Sequence, residues 1–198
     1  ACGYNYWGQL GLGQGSAYYV LRLTAVPVPA PVKQVACGGD SHTCVLTVDG
    51  AVLTCGYNYL GQLGRNGEAR ELRPVALPGE AAQVACGIAH ACILTRTATL
   101  LGCGSNWSGH LGLGDDNGGN VPSAQLVPLP AGAVAAQVAC GSRHTCVVTT
   151  SGELLACGAN YRGQLGLGPG SGRVRKPHRH HHQKGGQYNM SYSFHFLG

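Results

Sequence analysis

A glycine-spaced phrase recurs four times in this 198-residue chain, and it limits the possible folds more than any other feature. It reads CGYNYWGQLGLG at residues 2–13, and close variants begin at Cys55, Cys103 and Cys157. A spacing of about 50 residues is typical of propeller blades and solenoid repeats. The chain therefore holds three complete units and the closing phrase of a fourth, and the units end near Gly13, Gly64, Gly114 and Gly168.

Each complete unit contains a β-hairpin pattern. Residues 42–56, HTCVLTVDGAVLTCG, alternate β-branched and small apolar residues around a central turn, and residues 90–104 and 144–158 repeat the pattern. Two-residue turns need residues that accept positive φ, so the middle copy, with threonine and alanine, predicts a looser hairpin. The predicted turn pairs are Asp49-Gly50, Thr97-Ala98 and Ser151-Gly152.

Two further strands are predicted in each unit. The segment VACG precedes each hairpin, at 35–38, 84–87 and 138–141, and its lack of charge predicts a short buried strand. Proline-bounded segments at 73–79 and 124–132 predict edge strands, where a missing N–H costs least. Four short strands per unit, with no amphipathic helix pattern, predict an all-β fold of propeller repeats in an incomplete ring.

The recurring phrase is interpreted as structural. Its glycines suit turns, its asparagine tolerates the left-handed region, and its leucine is expected to pack into the blade. A phosphate loop is excluded because the phrase lacks the Lys-Ser/Thr pair and no helix pattern follows it. The residues before the leucine are expected to be polar loop residues: Gln9, Gln62, His110 and Gln164.

Charge separates the repeats from the C-terminal tail. Residues 1–168, the repeat array, carry eight basic and eight acidic residues, so the net charge of +5 belongs to residues 169–198. A neutral array lacks the charge typical of nucleic-acid binding. The basic, histidine-rich tail is expected to be disordered, and only this tail suggests binding to metal, RNA or chromatin. No apolar run is as long as a membrane helix and no signal peptide is visible, which predicts a cytoplasmic or nuclear protein without membrane contact.

The pattern VACG-x-x-HTCVLT-x-DG-x-V-x-TCG-x-N-x-x-GQLGLG resembles the repeat of the regulator of chromosome condensation family over residues 1–168. The resemblance implies blades of a seven-bladed β-propeller, of which about three and a half repeats are present. Two features depart from the family: the incomplete ring, and cysteine where the family usually has tryptophan, at Cys55, Cys103 and Cys157.

The same resemblance implies a non-enzymatic protein-binding module without a cofactor. Family members exchange guanine nucleotide on a small GTPase and bind nucleosomes, act as adaptors in ubiquitin ligases or membrane traffic, or sense UV-B light in plants. The last activity needs a Gly-Trp-Arg-His-Thr motif, and this chain has Ser142 in place of that tryptophan. A GTPase partner is the leading expectation, with a ligase or trafficking adaptor as the alternative.

The hairpin cysteines form three expected pairs. A two-residue turn would place the members of each pair opposite each other, as neighbouring thiols or as disulfides. A three-residue turn with a bulge would instead place them on opposite faces. Disulfides would favour a third function, an extracellular recognition domain. The pairs are Cys44 with Cys55, Cys92 with Cys103, and Cys146 with Cys157.

A metal site is the weaker interpretation of the cysteine and histidine pattern. Residues 86–92 and 140–146 share the spacing C-x3-H-x-C, but residues 37–44 contain one residue more. Chelating sites tolerate such changes poorly, so no metal is expected, and the histidines are expected to hold the turn before the second strand by backbone hydrogen bonds. They are His42, His90 and His144.

No set of nucleophile, base and orienting residue is apparent, so catalysis is not expected. Protein partners are expected at the loops, where Glu68, Arg70, Asp115 and Asp116 are the candidate contact residues. An open arc also exposes strand edges and apolar faces, so two copies are expected to associate and complete a ring unless the chain is a fragment.

Overall fold

The computed structural model describes residues 1–67, 69–114, 119–167 and 172–179, and it is all-β throughout these residues. A two-stranded pair, β1 (Gly3–Tyr4) and β2 (Tyr19–Val20), precedes three four-stranded antiparallel sheets. No helix in the described ranges could span a membrane. The sheets comprise β3 (Val32–Gly38), β4 (His42–Thr47), β5 (Val52–Gly56), β6 (Ala69–Pro74); β7 (Ala81–Cys86), β8 (His90–Thr95), β9 (Leu100–Ser105), β10 (Asn120–Leu126); and β11 (Ala135–Cys140), β12 (His144–Thr149), β13 (Leu154–Ala159), β14 (Arg173–Arg179).

Each sheet is one blade, built from four consecutive strands in chain order. The first strands of neighbouring blades, β3, β7 and β11, contact one another and line the inner side of the array. The fourth strands lie at the outer edge, as β6, β10 and β14 show. The predicted all-β propeller architecture with an incomplete ring is therefore confirmed.

The predicted hairpins are present, but their turns contain three residues rather than two. Thr47 donates its N–H to the carbonyl of Ala51, and Gly50 takes a φ of +89° at the third turn position. Thr43 consequently pairs with Cys55, and Cys44 pairs with Thr54. The other two hairpins have the same register.

This register corrects the prediction that the hairpin cysteines face each other directly. Successive side chains of a strand point to opposite faces, so a shift of one residue separates the members of each pair across the sheet. The bulged turn caused the error, because the register was calculated for two-residue turns. The affected pairs are Cys44 and Cys55, Cys92 and Cys103, and Cys146 and Cys157.

The other two predicted strands are present with changes. VACG lies in the first strand of each blade, but Val35 is 59% exposed whereas Val84 is only 1% exposed. Val84 is covered by the preceding blade, and no complete blade precedes Val35 in the described residues. The proline-bounded strands are at the sheet edges as predicted, but β6 ends at Pro74 and β10 ends at Leu126, several residues before the predicted ends.

Two buried clusters hold the blades together. One joins the first and second blades through residues such as Leu46, Val84 and Ile93, and the other joins the second and third blades. Glutamine side chains add directional bonds between the blades: the amide of Gln34 bonds both the N–H and the carbonyl of Val84 at 3.1 and 2.9 Å. Gln83 bonds Val138 in the same way, so each interface repeats the one before it.

The recurring phrase is structural, but its asparagine acts through its side chain. Asn58 accepts a hydrogen bond from the N–H of Leu63 and donates to the carbonyls of Arg65 and Gly67, which ties the loop into a compact turn. Leu63 is fully buried, as predicted. Gln62 is a polar loop residue as expected; it is fully buried, and its side-chain carbonyl oxygen accepts a hydrogen bond from the N–H of Leu60 within the loop.

Glycine in the phrase is needed where one blade meets the next. A Cβ atom at Gly8 would lie 2.3 Å from the Cα atom of Arg70 in β6, and one at Gly61 would lie 2.6 Å from the Cα of Pro122 in β10. Both glycines also have positive φ. The phrase is therefore a connector that docks onto the outer strand of the following blade.

Candidate protein-binding face

One end of the array carries the loops between the third and fourth strands of each blade, and these loops contain the recurring phrase. The residue after the phrase asparagine is aromatic in all four copies and points to solvent in each. Its exposed fraction is 47% for Tyr6, 76% for Tyr59, 62% for Trp107 and 63% for Tyr161. The repeat thereby generates a row of exposed aromatic side chains, which we call the aromatic face.

The rings are most concentrated near the start of the chain. The ring of Trp7 packs edge-on against that of Tyr6 at a centroid distance of 5.0 Å. It also packs, tilted, against the ring of Tyr57 in the next copy at a centroid distance of 4.7 Å. Tyr18 lies 5.2 Å from Tyr6, and Tyr59 lies 6.4 Å from Tyr57. Rings that pack against one another lose little conformational entropy on binding, so this cluster is preorganised and is a candidate contact surface.

Arg70 closes one side of this cluster, next to an open cleft of about 340 Å³. Its guanidinium lies 5.8 Å from the centroid of the Tyr18 ring and donates to the backbone carbonyls of Tyr6 at 2.7 Å and Asn5 at 3.1 Å. Arg70 therefore fixes the phrase loop to β6. Its role as a partner contact stays a prediction, and it does lie beside the candidate face.

A second arginine has a similar position at the other end of the row. Arg173 donates to the Tyr161 hydroxyl and to the carbonyl of Trp107, and its guanidinium lies 5.8 Å from the centroid of the Tyr161 ring. Trp107 in turn donates from its indole N–H to the side chain of Asn120 at 3.2 Å. Three other predicted contact residues, Glu68, Asp115 and Asp116, lie outside the described residues.

The aromatic row was missed by the sequence interpretation, which treated the phrase as wholly structural. The signal is present in the sequence, because tyrosine or tryptophan follows the asparagine in every copy. A position that is aromatic in each repeat but is not needed for packing indicates a repeated contact surface.

The cysteines and histidines assemble between blades rather than within the predicted C-x3-H-x-C segments. His42 and Cys44 of β4 meet Cys86 of β7, and the three ligand atoms lie within 4.8 Å of one another. Cys86 therefore joins the histidine of the preceding blade instead of His90, four residues further along the chain. The second and third blades form the same arrangement from His90, Cys92 and Cys140.

The histidine backbones hold the turns before the second strands as expected, because the N–H of Gly87 donates to the carbonyl of His90 at 2.8 Å and that of Gly141 donates to the carbonyl of His144 at 2.9 Å. The imidazole rings have other surroundings. Nε2 of His90 lies 3.1 Å from the Thr145 hydroxyl of the next blade, and neither ring nitrogen of His42 makes a hydrogen bond in the described part of the chain. Burial lowers the pKa of His42 to about 4, and the nearby His90 backbone opposes this without reaching normal hydrogen-bond geometry. Burial also raises the pKa of Cys55 to about 12, which makes it a poor nucleophile.

The fold and this surface define a class of protein: an open arc of propeller blades with a face of preorganised aromatic loops. Models of the regulator of chromosome condensation (RCC1) repeat match residues 32–62, 81–109 and 135–164, and a second model of the same repeat matches 49–94 and 98–148. The chain belongs to the regulator of chromosome condensation family, as its repeat phrase indicated.

The relatives that this chain resembles are named for different activities. The chain is 36% identical over 175 residues to the secretion-regulating guanine nucleotide exchange factor of Mus musculus, covering 83% of this chain and 37% of the relative. It is 32% identical over 176 residues to the probable E3 ubiquitin-protein ligase HERC3 of Homo sapiens, covering 84% and 16%. The chain thus spans well under half the length of these relatives.

Solved structures confirm the blade architecture. Yeast RCC1 (Prp20), in its complex with Kap60, superposes with a TM-score of 0.76 and 26% identity over 90% of this chain and 43% of that chain. Human WBSCR16 superposes with a TM-score of 0.77 and 23% identity over 88% of this chain and 45% of that one. A further structure of Prp20p is described together with its binding to Gsp1p and histones.

Proposed function

We propose that this chain is a regulatory binding module that recognises a protein partner through the aromatic face, and that the partner is a small GTPase whose nucleotide release it accelerates. The observation that supports the proposal most directly is the preorganised cluster formed by Tyr6, Trp7, Tyr18 and Tyr57 beside Arg70. Tyrosine, tryptophan and arginine dominate the binding energy of protein interfaces.

The similarity to a secretion-regulating guanine nucleotide exchange factor and to Prp20p, which binds Gsp1p, supports the choice of a GTPase. The similarity to HERC3 supports the second candidate, an adaptor that recruits substrates to a ubiquitin ligase. The hairpin register places the members of each cysteine pair on opposite faces, which removes the disulfides expected of an extracellular domain, so we keep the cytoplasm or nucleus as the proposed location.

The decisive experiment measures GDP release from a panel of small GTPases loaded with fluorescent GDP, with and without the chain. Accelerated release from at least one GTPase is expected. Trp7→Ala and Tyr59→Ala should each weaken binding of that GTPase by about 2 kcal/mol, a factor of about 30 in Kd, because each removes an aromatic anchor. Tyr59 is the cleaner position, since it is 76% exposed and contributes least to packing.

Val48→Ser is the matched control. Val48 is 55% exposed, and it lies in the hairpin turn at the opposite end of the strands from the phrase loops. Binding without acceleration of GDP release would favour the adaptor function. Binding that is insensitive to both aromatic substitutions would reject the aromatic face. If the chain binds none of the GTPases in their nucleotide-free form, the exchange activity is rejected.

A further inference from the structure

The interfaces between blades contain two similar clusters of histidine and cysteine that differ in one residue. In each, a histidine and a cysteine two residues apart on the second strand of one blade face a cysteine on the first strand of the next. The first cluster comprises His42, Cys44 and Cys86, and the second comprises His90, Cys92 and Cys140.

The second cluster is satisfied by a hydroxyl group. The Oγ1 atom of Thr145 lies 3.1 Å from Nε2 of His90 and 3.8 Å from the sulfur atoms of both Cys92 and Cys140. The same hydroxyl donates its proton to the carbonyl of His110 at 2.6 Å. A single threonine side chain thus occupies the space among the three potential ligands.

The first cluster lacks this hydroxyl. Ala91, opposite Cys86 in β8, takes the place that Thr145 has opposite Cys140. His42 is 1% exposed, and both of its ring nitrogens are without a hydrogen-bond partner in the described residues. An unsatisfied buried polar group costs about 1–3 kcal/mol, so the cluster is incomplete as it stands.

We propose that His42, Cys44 and Cys86 bind a zinc ion that joins the first blade to the second. One imidazole and two thiolates are ligands that zinc prefers, with Zn–N near 2.0–2.1 Å and Zn–S near 2.3 Å. Tetrahedral geometry at these lengths puts the two sulfur atoms about 3.8 Å apart, so a separation within 4.8 Å needs only a small side-chain adjustment. Three protein ligands leave the fourth position to water.

Charge and protons balance in this site. Zinc binding releases the two thiol protons to solvent, and the resulting thiolates neutralise the two positive charges of the ion. Cys86 gives up its present contact with the carbonyl of Ala36 at 3.6 Å, and its sulfur turns to the metal instead. Because Cys86 is half-buried while His42 and Cys44 are buried, it offers the route from solvent.

The test uses the full chain with the tail histidines at 178, 180–182 and 195 replaced by glutamine, so that a histidine-rich tail does not contribute. Zinc affinity is measured by competition with a chromophoric chelator, and cobalt substitution reports thiolate ligation by its absorption. One equivalent of tightly bound zinc is expected. Cys86→Ser should weaken binding at least about 100-fold, whereas Cys140→Ser, its equivalent in the second cluster, should leave the affinity unchanged.

A reciprocal pair of substitutions tests the role of the hydroxyl. Ala91→Thr should reduce zinc affinity by inserting the group that fills the second cluster, and Thr145→Ala should raise the stoichiometry from one towards two. Threonine already occupies the equivalent positions Thr43 and Thr145, so Ala91→Thr is compatible with the fold. Full affinity in Cys86→Ser or Ala91→Thr would overturn the proposal, as would the absence of tight zinc binding or a disulfide between Cys44 and Cys86 in the purified chain.

Discussion

At the scale of single residues, His110 is the one copy of its phrase position that carries an ionisable side chain. The other three copies carry glutamine there, at Gln9, Gln62 and Gln164. His110 is 3% exposed and packs against His90 at a ring distance of 4.6 Å. Burial lowers its pKa from 6.5 to about 4, the backbone of Ser105 opposes this, and the charge of Arg143 adds to it.

A lowered histidine pKa makes stability depend on pH in a defined direction. The unfolded chain takes up a proton below pH 6.5 while folded His110 stays neutral down to about pH 4, so its stability contribution is complete above pH 6.5 and is lost between these values. His110 alone should lower the free energy of unfolding by about 2 kcal/mol between pH 7 and pH 5. Urea unfolding at both pH values should show that His110→Gln removes about this much of the loss, while buried His42 keeps its own share.

Gln164→Asn, at the equivalent position of the last copy, is the control, because it removes no ionisable group. It should leave the pH dependence as it is. An equally steep loss of stability in His110→Gln and in the unchanged chain would show that unfolding does not change the protonation of His110.

At the scale of elements, the middle hairpin contains a strained turn. Ala98 has a φ of +61°, whereas the equivalent residues Gly50 and Gly152 have φ of +89° and +81°. A positive φ destabilises the folded state by roughly 1–2 kcal/mol when the residue has a Cβ atom. Glycine removes this strain, but part of the gain in stability is offset because glycine raises the conformational entropy of the unfolded chain. Ala98→Gly should therefore raise the free energy of unfolding by about 0.5–1 kcal/mol, as measured by urea denaturation.

The opposite substitution in the last hairpin provides the matched test. A Cβ atom at Gly152 would meet nothing within 4 Å, so Gly152→Ala changes the backbone preference without a steric clash. It should lower stability by a similar amount. Effects of the same sign for the two substitutions would contradict the assignment of strain to φ.

The hairpins also show which parts of the fold were predictable from the sequence. Alternating apolar residues and turn pairs such as Asp49-Gly50 identified the strands, and the four-strand unit followed from their spacing. The register was not predictable, because the same residues fit a two-residue turn or a bulged three-residue turn. The incorrect choice placed both members of each hairpin cysteine pair on one face, whereas they lie on opposite faces.

The candidate site was harder to predict because it depends on neighbouring repeats. Cys86 and His42 are far apart in sequence and meet only when two blades pack, whereas Cys86 and His90 are close in sequence and belong to different clusters. The aromatic face was readable in principle, since its residues recur at one position of the phrase. The aromatic face becomes a candidate binding surface only because all of its residues are exposed, and exposure cannot be read from composition.

At the scale of the whole molecule, the arc has two complementary ends. Gln34 and Gln83 each bond the backbone of a valine in the next blade, Val84 or Val138. At the last described blade the equivalent residue is Gln137, which has no further valine to bond among the described residues. At the first blade Val35 is 59% exposed, and no glutamine in the described ranges bonds its backbone.

We therefore expect the ends of one copy to pair with the ends of another, so that the purified chain forms a closed dimer of twice its 20.4 kDa. Light scattering across a concentration series measures this directly. Val35→Asp places a charge in the new interface and should shift the chain to monomer, while Val48→Asp, at a similarly exposed valine in a hairpin turn, should leave the dimer intact. A chain that stays monomeric at high concentration, or a dimer unaffected by Val35→Asp, would show that the inner strands of the arc do not pair between copies.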